Sequence, residues 1–175
     1  MPPRKSPAKS SIIQQEVTIA EPPQLSTRNS ERKPRAHSDF PKTTLEEAVR
    51  IATAIEEVNA GRPYPPTDTA IALGMSPGGS PWRVLTAASF KYGLTTGSYK
   101  SERLEITPLA LRIVAPTSSE DRAAALFVAG MNPTTFKAIF DYLKGKKIPQ
   151  QEFFENTLVR EFSVPKEQAA VAVDI

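Results

Sequence analysis

The feature that most restricts the fold is the spacing of helix starts and stops within TDTAIALGMSPGGSPWRVLTAASFKYGLTTGSYKSERLEITPLALRIVAP, residues 67–116. Gly74, the Gly78-Gly79-Ser80-Pro81 run, Gly93 and Thr107-Pro108 cut the apolar periodicity into short pieces. Glycine takes the left-handed position that ends a helix, and a capping hydroxyl followed by proline opens one. In order, the pieces read as helix, glycine-rich turn, helix, β-hairpin and helix.

In detail, Thr67 caps a helix over residues 68–73 that turns Ala70, Ile71 and Leu73 inward and stops at Gly74. Ser80 serves as N-cap, with Pro81 first in a helix that ends at Tyr92 before Gly93. On that helix Trp82, Leu85, Ala88 and Tyr92 share one side. Arg83, Ala87 and Phe90 lie opposite, flanked by Thr86 and Lys91. A large aromatic at Phe90 on the outer side packs under a later element, betrays a phase error or marks a protein-binding surface. Leu94 to Gly97 and Arg103 to Thr107 alternate as two strands, with Leu104 and Ile106 inward and SYKSE at the tip. Thr107 and Pro108 then open a helix whose apolar side is Leu109, Leu111, Ile113 and Val114.

Upstream, TLEEAVRIATAIEEVNAG sets Leu45, Ala48, Val49, Ala52 and Ile55 on one stripe, with Glu46, Arg50, Thr53 and Glu57 opposite. Thr44 and Glu47 fit a capping box, and Gly61 fits the end of the helix. Downstream, three more helical patterns and a last one, KEQAAVAVDI, follow Pro116. Thr117 with Glu120, or Ser118 with Asp121, caps the first; Phe136, Ile139, Phe140 and Leu143 line the second; Phe153, Phe154, Leu158 and Phe162 form the core side of the third. The last pattern still runs at Ile175, which fits a truncated chain or a terminus packed on another subunit. Lys144, Lys146 and Lys147 form a basic patch or complement the dipole of the helix before them.

The succession SPGGSPWRVLTAASFKYGL, hairpin, LEITPLALRIV resembles the recognition helix, wing and closing helix of bacterial winged helix-turn-helix proteins. It is also similar to an uncharacterised bacterial family with such a module near the N-terminus and a helical region after it. The resemblance implies a mainly α fold with a small β-hairpin wing. Residues 1–42 would be a disordered basic arm, 43–116 the winged helix and 117–175 a helical region packed on it. It also implies duplex-DNA binding of a regulatory kind, with the helix over residues 81–92 in the major groove and the wing over residues 94–107 on the backbone.

Charge constrains that expectation. Residues 1–42 hold eight basic and four acidic side chains, whereas residues 43–175 hold 14 basic and 15 acidic ones, so the pI near 9.2 belongs to the N-terminal segment. RNSERKPR, with Arg28, Arg32, Lys33 and Arg35, is its densest part and reads as an electrostatic arm or a solvated linker. In the folded part the candidate DNA contacts are Ser80, Arg83, Thr86, Lys91, Ser98, Tyr99, Lys100 and Arg103. Each has a plainer reading: the glycine turn before Ser80 merely connects two helices, and residues 98–103 form a solvated tip. Trp82 is either core or a base contact. Four cations give a salt slope of roughly −3.6, weak for a monomer, so useful affinity needs a homodimer or the arm.

Other chemistry finds little purchase. There is no cysteine, His37 is the only histidine, and P-loop, dinucleotide-binding, zinc-protease and serine-hydrolase signatures are missing. No catalysis, cofactor or metal is expected. No run approaches the roughly 18 apolar residues of a membrane span, and a cytoplasmic protein with DNA or a protein as partner is expected.

Overall fold

The computed structural model describes residues 40–175. Arg28, Arg32, Lys33, Arg35 and His37 lie outside the described residues. Among the described residues the protein is mainly helical, with one small antiparallel sheet. Helix α1 is Leu45–Asn59, α2 Pro66–Ala72 and α3 Ser80–Lys91. Strands β1, Thr95–Thr96, and β2, Glu105–Ile106, follow, then α4 Pro108–Val114, α5 Ser119–Met131, α6 Thr134–Leu143, α7 Gln151–Glu161 and α8 Lys166–Asp174.

Helix α1 organises the core because it buries two adjoining sides. Ala48 and Ala52 pack with Ala88 and Tyr92 of α3, Ala110 and Ile113 of α4, and Ala125 and Ala129 of α5. Ile51 and Ile55 pack on the other side with Ala70 of α2, Trp82 and Leu85 of α3, and Leu104 of the hairpin. Ile51 falls outside the single stripe expected for this helix. It is buried because α1 serves two clusters and so needs an apolar arc wider than one stripe. Thr44 caps α1 by accepting from the Glu47 amide at 3.2 Å, but the Glu47 carboxylate pairs with Arg50 at 2.8 Å rather than closing a capping box.

Helix α2 starts at Pro66, after an N-cap at Pro65, so Thr67 is not its cap. This start turns Pro66, Thr69 and Ala70 into the core, and Ile71, expected inside, is 63% exposed. The buried Thr69 hydroxyl donates to the Pro65 carbonyl at 2.9 Å, which removes the cost of burying it.

The sheet pairs Thr95 with Ile106 and Thr96 with Glu105, shorter than the four- and five-residue strands expected. Tyr64, in the connection between α1 and α2, bonds both backbone groups of Leu104, at 2.9 and 2.8 Å, and so extends the pairing at the base of the hairpin. Gly97 has φ +89°, and a Cβ there would sit 2.7 Å from the Arg103 carbonyl, so the return of the hairpin requires glycine.

Thr107 joins hairpin to helix. Its hydroxyl accepts from the Ala110 amide at 3.2 Å as N-cap of α4 and donates to the Gly93 carbonyl at 2.7 Å, fastening the end of α3 to the start of α4. Thr107→Ala is therefore expected to cost about 1–2 kcal/mol, measured as a fall in urea midpoint with unchanged slope. Thr107→Ser is expected to restore most of that loss, because serine keeps both bonds.

Beyond α4, Ser118 caps α5 by accepting from the Asp121 amide at 3.0 Å, which selects the second of the two caps that the sequence allows. Phe40, Leu158, Val164, Ala169 and Ala172 form a further cluster. Phe40 and Pro41, assigned above to the N-terminal arm, are buried, because the Phe40 ring stacks on Phe136 of α6 with centroids 6.3 Å apart. Phe153, expected in the core, is exposed, while Leu158 holds the inner face of α7.

Candidate nucleic-acid interface

The candidate surface is built on the outer side of α3 and the tip of the hairpin. Gly79, not Ser80, occupies the N-cap position of α3. Ser80 is the first helical residue, exposed, and no side chain caps the turn. Trp82, Leu85, Ala88 and Tyr92 point into the core as their spacing predicts, which leaves Trp82 as core and not as a base contact. Burial pushes the Tyr92 phenol up to about 12, and its hydroxyl donates to the Thr43 carbonyl at 3.1 Å.

Thr86 is withdrawn from the candidate surface. It is only 2% exposed, and its hydroxyl turns back to the Trp82 and Arg83 carbonyls at 3.0 and 3.1 Å. Helical phase explains this: Thr86 lies one turn beyond Trp82 and just past Leu85, on the edge of the buried arc. Lys91 is also withdrawn. It is half-buried, and its ammonium donates to the Phe40 carbonyl at 2.9 Å, holding the segment before α1 against the end of α3. Asn132, at the end of α5, donates to the Lys91 carbonyl at 2.8 Å and packs over Gly93, bracing the same end.

Arg83, Tyr99 and Lys100 do come together. The Arg83 guanidinium lies 5.1 Å from the centre of the Tyr99 ring and donates to the Gly78 carbonyl at 3.0 Å, while the Lys100 ammonium lies 5.5 Å from the same ring. The half-buried Tyr99 packs against the cluster around Trp82, so the core beneath α3 also positions the hairpin tip. Ser98 and Ser101 close the tip, with the Ser98 amide donating to the Ser101 hydroxyl at 2.9 Å. Arg103 is exposed, and its Nε lies 3.8 Å from Glu102, a contact that contributes little in water.

One cation was missed. Lys42 is exposed and borders the same side of α3 as Arg83, Ala87 and Lys91. Only the burial of Phe40 and Pro41 brings it there, and a run of prolines and charges in the sequence carries no sign of that packing. Around α3 and the hairpin the candidate cations that stay exposed are therefore Lys42, Arg83, Lys100 and Arg103, with Lys42 in place of Lys91.

Phe90 is 59% exposed, so neither a later element covers it nor was the helical phase wrong. With Ala87, Gly97 and Tyr99 it lines an apolar crease of about 370 Å³ between α3 and the hairpin. Among the described residues no cluster of three or more His, Cys, Asp or Glu side chains is placed to hold a metal, and no helix is long and apolar enough to cross a membrane. No protein-family model, curated protein or solved structure matches the chain.

Proposed function

We propose that residues 40–116 act as a winged helix-turn-helix module that binds duplex DNA in a regulatory role, with α3 as the helix in the major groove and the hairpin as the wing on the backbone. The observation that carries this reading is the Arg83–Tyr99–Lys100 cluster, which joins the outer side of α3 to the hairpin tip as one cationic edge. A duplex is contacted over both elements at once, and phosphate contacts at the tip fix the register of the helix in the groove. Ser80 and Ser98 add neutral donors at the two ends of that edge. Four cations per copy make the binding weak and salt-sensitive, so a second copy or the basic segment around Arg28 to Arg35 supplies the remaining affinity. The direct test is fluorescence anisotropy of a labelled mixed-sequence duplex titrated with the full chain. Saturable binding at low salt is expected, and a flat trace at low salt would end the reading.

A second reading rests on Phe90. An exposed aromatic beside an apolar crease is the usual form of a protein-binding surface, and the nearly neutral charge of residues 43–175 suits a module without intrinsic DNA affinity. Under it, Phe90→Asp is expected to abolish self-association seen by sedimentation velocity, with unchanged thermal stability because the side chain is outside the core. A parent and variant that are both monomeric count against it.

A further inference from the structure

Helix α6 carries large apolar side chains at i, i+3, i+4 and i+7, Phe136, Ile139, Phe140 and Leu143, yet none of its residues is fully buried. Instead they form one wall of an apolar trough of about 680 Å³, closed on the other side by Phe154 of α7 and by the end of α8. Phe140 remains 39% exposed even with its ring edge-on to Phe127 at 5.7 Å. A surface this apolar is an interaction site by the ordinary energetics of hydration. Volume alone would suit a small molecule, but such sites converge several polar groups on their ligand, and this trough has few.

Its charge is one-sided. Among the described residues the only charged side chains along it are Lys144 and Lys146, both just past the C-terminus of α6. We infer that the trough receives an amphipathic, acid-flanked helix of a partner protein. Such a helix would lie antiparallel to α6, with large apolar side chains against Ile139, Phe140 and Leu143. That direction places its first turn, where Asp and Glu are favoured by the helix dipole, beside the two lysines. Helix α6 has ten residues, so about 15 Å of wall is available, enough for some three turns of partner helix. A second copy docking its own α6 in that direction would set an N-terminal turn without a carboxylate beside the two lysines, which makes it the poorer occupant.

The test is selection of a random displayed-peptide library on the full chain, followed by fluorescence polarisation with the synthesised winners. The expected winners combine large apolar residues at helical spacing with N-terminal carboxylates. Phe140→Asp is expected to weaken them at least tenfold. The exposed double variant Lys144→Glu/Lys146→Glu, which leaves the trough walls intact, is expected to disfavour acidic winners by a similar factor and to accept their Lys-substituted versions. Circular dichroism and melting of both variants separate lost binding from lost folding, and the lysine pair carries the test if Phe140→Asp does not fold. Failure to enrich any peptide overturns the inference, as do winners without carboxylates or winners indifferent to the lysine reversal. Self-association abolished by Phe140→Asp, with no peptide enriched, assigns the trough to a second copy and overturns it as well.

Discussion

Trp82→Ala is expected to lower the stability of the fold by about 3–5 kcal/mol, a fall in Tm on the order of 10 °C or more. The ring is 1% exposed and lies among Ile51, Ile55, Leu85 and Leu104, with no element free to close over the space it would leave. Because Tyr99 leans on the same cluster, the hairpin should loosen before the rest of the chain unfolds. Amide exchange over residues 95–106 should therefore accelerate more than exchange in α5. Phe90→Ala, on the opposite side of the same helix, is expected to change stability by no more than about 0.5 kcal/mol. A Trp82 variant as mild as the Phe90 one would contradict the packing of α3.

The second large effect concerns binding. The double variant Arg83→Ala/Lys100→Ala removes two of the four exposed cations of the candidate face while leaving the core untouched. The salt slope of duplex affinity is expected to flatten from roughly −3.6 to roughly −1.8. Two charge-assisted contacts worth about 1 kcal/mol each correspond to a loss of roughly 30-fold in affinity at moderate salt. Anisotropy titrations across a salt series measure both. Unchanged binding in the double variant, together with loss of binding when residues 1–39 are removed, would transfer the activity to the N-terminal segment.

The order of elements was readable from residues 44 to 175 because caps, glycines and apolar spacing agree locally. Thr44, Thr107, Ser118, Gly74 and Gly93 act in the structure where their chemistry places them. Most of the misses come from packing by elements distant in sequence. Ile51 is buried because α1 serves two clusters, Leu104 gains a partner in Tyr64, and Phe40 docks on Phe136 from nearly a hundred residues away. Helix phase read over a short stretch failed at its margins: Thr86 falls inside the buried arc of α3, and Ile71 outside that of α2. At the candidate interface, the pairing of Arg83 with Tyr99 depends on a half-buried tyrosine at a hairpin tip, which period-2 alternation does not report. Lys91 looked available because the carbonyl that holds it belongs to a segment with no periodicity of its own.

Engagement of duplex DNA by the α3 and hairpin face, rather than by the basic N-terminal segment alone, is the proposal on which the binding predictions depend. It is tested most directly by titrating one labelled duplex at two salt concentrations with the full chain and with a chain beginning at Phe40, which keeps both the buried anchor and Lys42. The shorter chain is expected to bind at low salt, more weakly, with a slope near −3.6 per copy, and the full chain with a steeper slope. No binding by the shorter chain at low salt, with its melting transition intact, would contradict it.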